Sequence, residues 1–175
     1  MFTISETPPK NPFAQAAIVI STKHSFDAPA ADVFRALDSD LAWRWLAPTC
    51  GVDYLEPADN GAPRGVGMVR EMGSVRRPLR WFWRQREVFT GYEANRALAY
   101  YASHGSWPLL RLWAENYRLE PTSDTSCTLR WKVAMTPTIV GRLPLHWTEP
   151  ALRLAFTIGI RPGLRRLTRQ LAATH

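Results

Sequence analysis

One carboxylate stands where burial would be costly. Alternation along residues 109–120 puts Trp113, Glu115, Tyr117 and Leu119 on one face of a strand. Leu98, Tyr100, Ala102 and His104 share a face on the preceding strand, and Leu129, Trp131, Val133 and Met135 on the following one. In each strand this is the more apolar face, so it is assigned to the interior. A carboxylate among indoles and a phenol is unfavourable unless paired. Two roles fit Glu115. It is a ligand-facing acid with a raised pKa, acting as general acid or base, or it is half of an ion pair with an arginine such as Arg70 or Arg130. The facing rests on an unbroken pleat, because one bulge reverses every assignment beyond it.

His24 and His104 also fall on apolar faces. The plain reading is a satisfied core histidine. The sharper one is a hydrogen bond to a polar ligand group, or proton transfer near neutral pH. His146 follows a loop and His175 ends the sequence, so neither is a strong candidate. No HExxH spacing links the histidines, and Cys50 and Cys127 show neither CxxC nor His-Cys spacing, so no metal is expected. GxSxG, P-loop and GxGxxG patterns are missing too, and Gly65-Val66-Gly67 reads as strand-edge glycine. No cofactor is expected. Both cysteines read as free thiols, and the start has no secretory leader pattern, which together predict a cytoplasmic protein.

Two arginine groups remain. Arg76, Arg77, Arg80, Arg84 and Arg86 surround Trp81-Phe82-Trp83, and Arg153, Arg161, Arg165, Arg166 and Arg169 lie in the final segment. Of the 22 basic residues, 17 precede residue 150 beside 15 acids, whereas residues 150–175 hold five arginines and no acid. Such faces serve solubility, or they meet an anionic membrane surface or nucleic acid. No RNP, KH or helix-turn-helix signature supports nucleic acid. The aromatic trio has apolar groups on both faces of its strand, which fits a cavity mouth or a dimer contact, and monomer and homodimer both stay open.

The elements that must position these residues follow from pattern. At 175 residues and 46% hydrophobic, the chain makes one domain with a core that needs no disulfides. No apolar run reaches transmembrane length. The arginine- and alanine-rich usage fits a GC-rich bacterial genome. Residues 1–15, with Pro8, Pro9 and Pro12, read as a flexible arm, disordered over its first ten residues, before a single domain at 16–175. Ala17 to Phe26 alternates as a half-buried strand. Pro29 then opens a short helix carrying Val33, Phe34 and Leu37, and a second starts near Ser39 or Asp40 and stops at Pro48. Strands are expected near 50–56, 65–74, 79–90, 96–104, 109–120 and 126–135, separated by turn residues and paired antiparallel. From Thr148 or Glu149 runs a helix with Leu152, Phe156, Ile160, Leu164, Leu167 and Leu171 on one stripe, kinked or broken at Pro162.

This order resembles the START-like, or helix-grip, superfamily (SRPBCC, the birch-pollen-allergen type), in its polyketide cyclase/dehydrase and lipid transport branch. The matching stretches are Phe26 to Phe34, Asp40 to Trp45, Arg96 to Tyr100, Tyr117 to Pro121 and Thr128 to Trp131, within residues 17–171. The resemblance implies an α+β fold: a seven-stranded antiparallel sheet wrapped around a long C-terminal helix, with two short helices after the first strand. It also implies a deep apolar cavity between sheet and helix. The long Pro-rich linker from Thr138 to Trp147 and the break at Pro162 depart from the common pattern. The expected pocket is lined by His24, Leu98, Tyr100, His104, Trp113, Glu115, Tyr117, Trp131, Leu152, Phe156 and Ile160.

Three functions compete. The leading one is binding, with or without transport, of a hydrophobic lipid, isoprenoid or polyketide-like molecule. The second is cyclase, aromatase or dehydratase chemistry with His104, Glu115 and Tyr117 moving protons. The third is an interaction protein that uses its arginine faces.

Overall fold

The computed structural model describes residues 1–39, 43–44, 50–74, 84–138 and 145–172, with side chains left aside for Ser74 and for 145–148. Strands β1 (Phe2–Thr3), β2 (Ile18–Phe26), β3 (Cys50–Glu56), β4 (Val69–Ser74), β5 (Arg84–Glu93), β6 (Ala97–Gly105), β7 (Leu110–Ser123) and β8 (Ser126–Pro137) form one sheet. Its order is β2-β8-β7-β6-β5-β4-β3, with every pair antiparallel. Helix α1 (Pro12–Gln15) precedes β2, α2 (Ala30–Asp38) follows it, and α3 (Leu145–Ala172) ends the described chain. The expected α+β architecture of a seven-stranded antiparallel path with a long C-terminal helix is therefore present, with β1 as an eighth strand. The second short helix and the Trp81-Phe82-Trp83 strand segment lie largely or wholly outside the described residues.

The pleat decides what faces the helices. Leu98, Tyr100, Tyr117, Leu119, Leu129, Trp131, Val133 and Met135 join one buried core with Val33, Phe34 and Leu37 of α2 and Ile160, Leu164, Leu167 and Leu171 of α3. The opposite sheet face carries a smaller cluster of Tyr101, Ala114 and Ala134, which Phe13 and Ala16 cover. Instead of disorder over the first ten residues, Phe2–Thr3 pairs with His104–Gly105, and Ile4 N–H donates to the Ser103 carbonyl at 2.8 Å. The reason is a vacancy in the ladder. β6 pairs with β7 only from Ala97 to Tyr101, so its last residues have unpaired backbone groups that β1 satisfies.

Helix α3 corrects the expectation of a break at Pro162. It runs unbroken for 28 residues with both Pro150 and Pro162 inside. Pro162 removes the donor for the Ile158 carbonyl, but both residues are exposed, so water can serve that carbonyl. The stripe on the buried side then carries the helix past the defect.

At the centre of the inner face lies an ion pair that the pattern did not announce. Arg70 and Glu87 are cross-strand partners on β4 and β5. Arg70 Nε meets Glu87 Oε2 at 2.6 Å with both side chains essentially inaccessible. Arg70 also donates to the Leu37 carbonyl at the end of α2, at 3.1 Å, and Gln85 donates to Glu87 Oε1 at 3.1 Å. The guanidinium sits 4.8 Å from the Phe89 ring centre and 5.1 Å from that of Tyr100. Burial disfavours its charge, yet Glu87 holds Arg70 protonated with a pKa above the ordinary arginine value.

Removing one partner should strand the other. Arg70→Met is expected to cost about 3–5 kcal/mol by leaving a buried carboxylate without its counter-charge. In urea unfolding, the Arg70→Met/Glu87→Leu double variant should recover much of that loss. A double variant that loses the sum of both single losses would show that the two groups act independently.

Candidate functional site

The sheet register assembles the site from three neighbouring strands. Tyr100 on β6 faces Glu115 on β7, and Glu115 faces Val133 on β8, while Tyr117 faces Trp131. Trp113 and Tyr117, two residues to either side of Glu115, share its face. The carboxylate is 2% exposed and takes three hydrogen bonds from neutral donors. Trp113 Nε1 donates to Oε1 at 2.7 Å, Trp131 Nε1 donates to Oε2 at 2.7 Å, and the Tyr117 hydroxyl also donates to Oε2. The Tyr100 and Tyr117 hydroxyls lie 3.2 Å apart and extend the chain of polar groups.

Neither ion pair weighed for Glu115 forms. Arg70 is bound to Glu87, and Arg130 pairs with Glu120 at 2.8 Å on the surface. The Glu115 carboxyl is instead pushed up to about 7, first by burial and then by the nearby negative Glu87, against the pull of its three donors. Burial and the Glu115 charge hold Tyr117 and Tyr100 well above the ordinary phenol range, so both are neutral hydroxyls at physiological pH. A carboxyl that titrates near neutrality, joined to two phenols, can accept a proton or return one.

Aromatic rings close around this chain. Tyr117 stacks on Trp131 at 5.0 Å, and Phe156 of α3 meets Trp131 edge-on at 5.4 Å. Trp43 reaches both Tyr117 and Trp131 at 6.1 Å. It does so with φ of 70°, a left-handed conformation that costs a bulky residue about 1–3 kcal/mol. The strain sits directly beside the donors of Glu115.

His104 leaves the set. Ala102 pairs with Glu87 but His104 pairs with Arg86, so Ser103 is an extra residue in β6. This bulge turns His104 away from the face of Tyr100, and its ring bonds the Ser103 hydroxyl at 3.1 Å. Leu98, Tyr100, Trp113, Glu115, Tyr117, Trp131, Leu152, Phe156 and Ile160 all belong to or pack on the inner core. His24 is on the inner face beside Leu129 at the sheet edge, where its Nε2 is buried with no hydrogen-bond partner among the described residues. Burial lowers its pKa.

A second polar group near the site escaped sequence reasoning. Asp38, at the end of α2, accepts from Tyr92 at 2.8 Å and from Tyr54, with Arg64 at 3.8 Å. These residues are distant in sequence and no pattern marks them as neighbours. Of the first arginine group, Arg84 and Arg86 pair with Glu71, at 3.3 and 3.7 Å, and Arg76, Arg77 and Arg80 lie outside the described residues. In the second, Arg161, Arg165 and Arg169 are exposed on α3. Among the described residues no group of acids, histidines and cysteines forms a metal site, and no helix is long and apolar enough to cross a membrane.

Residues 17–172 match the family model described as polyketide cyclase / dehydrase and lipid transport. No curated protein matches the sequence. The fold is similar to that of a START superfamily protein from Mycobacterium smegmatis, with a TM-score of 0.68 at 11% identity over 90% of this chain and 99% of that one. It is also similar to the Zhui aromatase/cyclase from a Streptomyces species, with a TM-score of 0.60 at 14% identity over 88% and 93% of the two chains. For Ara h 8.0201 the score is 0.59 at 17% identity, over 86% and 97%. At these identities the likeness extends to the fold alone.

Glu115 should leave a mark on stability. Its folded pKa of about 7 lies above its ordinary carboxylate value, so the native state holds the proton more tightly. The associated stability is complete below the ordinary carboxylate pKa and is lost as pH rises through about 7. In Glu115→Gln that part of the slope should vanish, while the contribution of Asp38, whose pKa burial also raises, stays in both proteins. Equal pH slopes for the two proteins in chemical denaturation would refute the shifted carboxyl.

Proposed function

The chain belongs to the polyketide cyclase / dehydrase and lipid transport family, and from that premise we propose that it binds a hydrophobic small molecule, a lipid, isoprenoid or polyketide, between the sheet and α3. The observation that carries this reading is apolar surface on inward faces that packing does not consume. Trp113 of the sheet and Leu152 and Phe156 of α3 all pack on the core, yet each is only half-buried. Wall residues such as these gain from a ligand that removes their remaining apolar area from water. Tyr100, Tyr117 and Glu115 supply the few convergent polar groups that would orient such a ligand.

A second reading has its own support. The Tyr100–Tyr117–Glu115 chain couples a carboxyl near neutrality to neutral hydroxyl donors, which is the equipment for enolisation, aldol ring closure or dehydration of a polyketone. In that reading Glu115 moves the proton and Tyr117 orients and polarises a carbonyl. His104 takes no part, because the β6 bulge turns it from the face of Tyr100.

Native mass spectrometry followed by organic extraction of the same sample tests the binding reading. A stoichiometric apolar passenger is expected, or, in an empty preparation, an apolar ligand that raises Tm, by about 2.7 kcal/mol of stabilisation at a hundredfold excess over Kd. Failure of fatty acyl, isoprenoid and aromatic polyketide ligands alike to bind or raise Tm would overturn it. If the enzyme reading holds, Glu115→Gln and Tyr117→Phe should each lose polyketone cyclisation by about 100-fold or more while retaining binding, with His104→Ala unaffected.

A further inference from the structure

Away from Glu115, a groove of about 660 Å³ opens between the edge strand β2 and α3. Lys23 and His24 line it from the strand, and Arg161 and Arg165 from the helix, with serine and threonine hydroxyls of both elements between them. No acid lines it. Several arginines elsewhere pair with carboxylates: Arg70 with Glu87, Arg84 and Arg86 with Glu71, Arg130 with Glu120, and Arg153 with Glu149. Arg161 and Arg165 have no carboxylate partner among the described residues, and they stand one helical turn apart, where like charges repel. This charge is uncompensated in the place where the two layers part.

Two further observations converge here. His24 Nε2 is buried with no hydrogen-bond partner among the described residues, and a bound acceptor would relieve the cost of that burial. The groove is also lined by Phe26 and Leu164, which are members of the apolar core. Its charged lining therefore adjoins the greasy interior. Guanidinium groups, hydroxyls and an imidazole N–H are the donors that recognise a carboxylate or phosphate.

We propose that this groove is an oxyanion site that takes the carboxylate or phosphate end of an amphiphile, whose apolar part lies against Phe26 and Leu164. The amphiphilic part rests on the binding reading above, whereas the oxyanion part does not. Arg161 and Arg165 clamp the anion, and the His24 ring donates to it from Nε2, which has no partner among the described residues.

Three probes separate these parts: decanoate, decanol and inorganic phosphate, each titrated calorimetrically and followed by the NMR signals of the His24 ring. Decanoate should bind at least about tenfold tighter than decanol, the effect of one charge-assisted hydrogen bond. It should shift the His24 signals, and phosphate should shift them more weakly. The doubly substituted Arg161→Gln/Arg165→Gln protein, altered only at exposed positions, should lose the preference for decanoate and keep the affinity for decanol. Equal binding of decanoate and decanol, with His24 silent to phosphate, would overturn the oxyanion site and leave the binding reading standing. A phosphate shift at His24 that disappears in the arginine variant, with neither amphiphile bound, would keep the site for a free oxyanion and overturn its amphiphile. A decanoate preference that survives in the arginine variant would overturn the assignment to this groove.

Discussion

The Arg70–Glu87 pair is the interaction around which the inner face is organised. A guanidinium and a carboxylate without solvent are tolerable only when each satisfies the other and the remaining donors find acceptors. The structure meets that condition with groups from separate places: Glu87 on the neighbouring strand, the Leu37 carbonyl at the end of α2, and Gln85 on the far oxygen. The pair therefore fixes the register of β4 against β5 and ties α2 to the sheet. Phe89 and Tyr100 are held against the guanidinium face, which places the Tyr100 hydroxyl within reach of Tyr117.

Glu115 inherits the consequences. Because Arg70 is committed to Glu87, it cannot neutralise the second buried acid, and the uncompensated part of the Glu87 field pushes the Glu115 proton on more tightly. What remains for Glu115 is a set of neutral donors, two indoles and a phenol. They stabilise its charge, but less than a cation would, and the outcome is a carboxyl near neutrality. Two acids on one sheet face thus acquire different characters from their partners alone: Glu87 as a structural counter-ion, Glu115 as a group able to exchange a proton.

The ends of the molecule follow a different logic. Along α3 the buried stripe of Ile160, Leu164, Leu167 and Leu171 is strong enough to carry the helix through Pro162, whose missing bond falls on the wet side. At β6 the departure of β7 leaves backbone groups that the N-terminal arm satisfies. Among the described residues β2 has no strand neighbour on its outer side, and the basic groove opens there between it and α3.

Much of this was legible in residue order. Alternation placed Trp113, Glu115, Tyr117 and Trp131 on one face, because the period of a strand is a local steric property that the sequence alone determines. The stripe of α3 and seven of the eight strands were readable for the same reason, as was the family likeness. Four matters belonged to the tertiary structure. The bulge at Ser103, which removed His104 from the site, depends on how β5 and β6 are matched. The choice of Glu87 rather than Glu115 as the partner of Arg70 depends on which strands are neighbours. The continuity of α3 through Pro162 depends on which side of the helix is wet, and the convergence of Arg161, Arg165 and His24 depends on where α3 crosses the sheet edge. In each case the deciding quantity is a distance between residues far apart in the chain, and local periodicity carries no information about it.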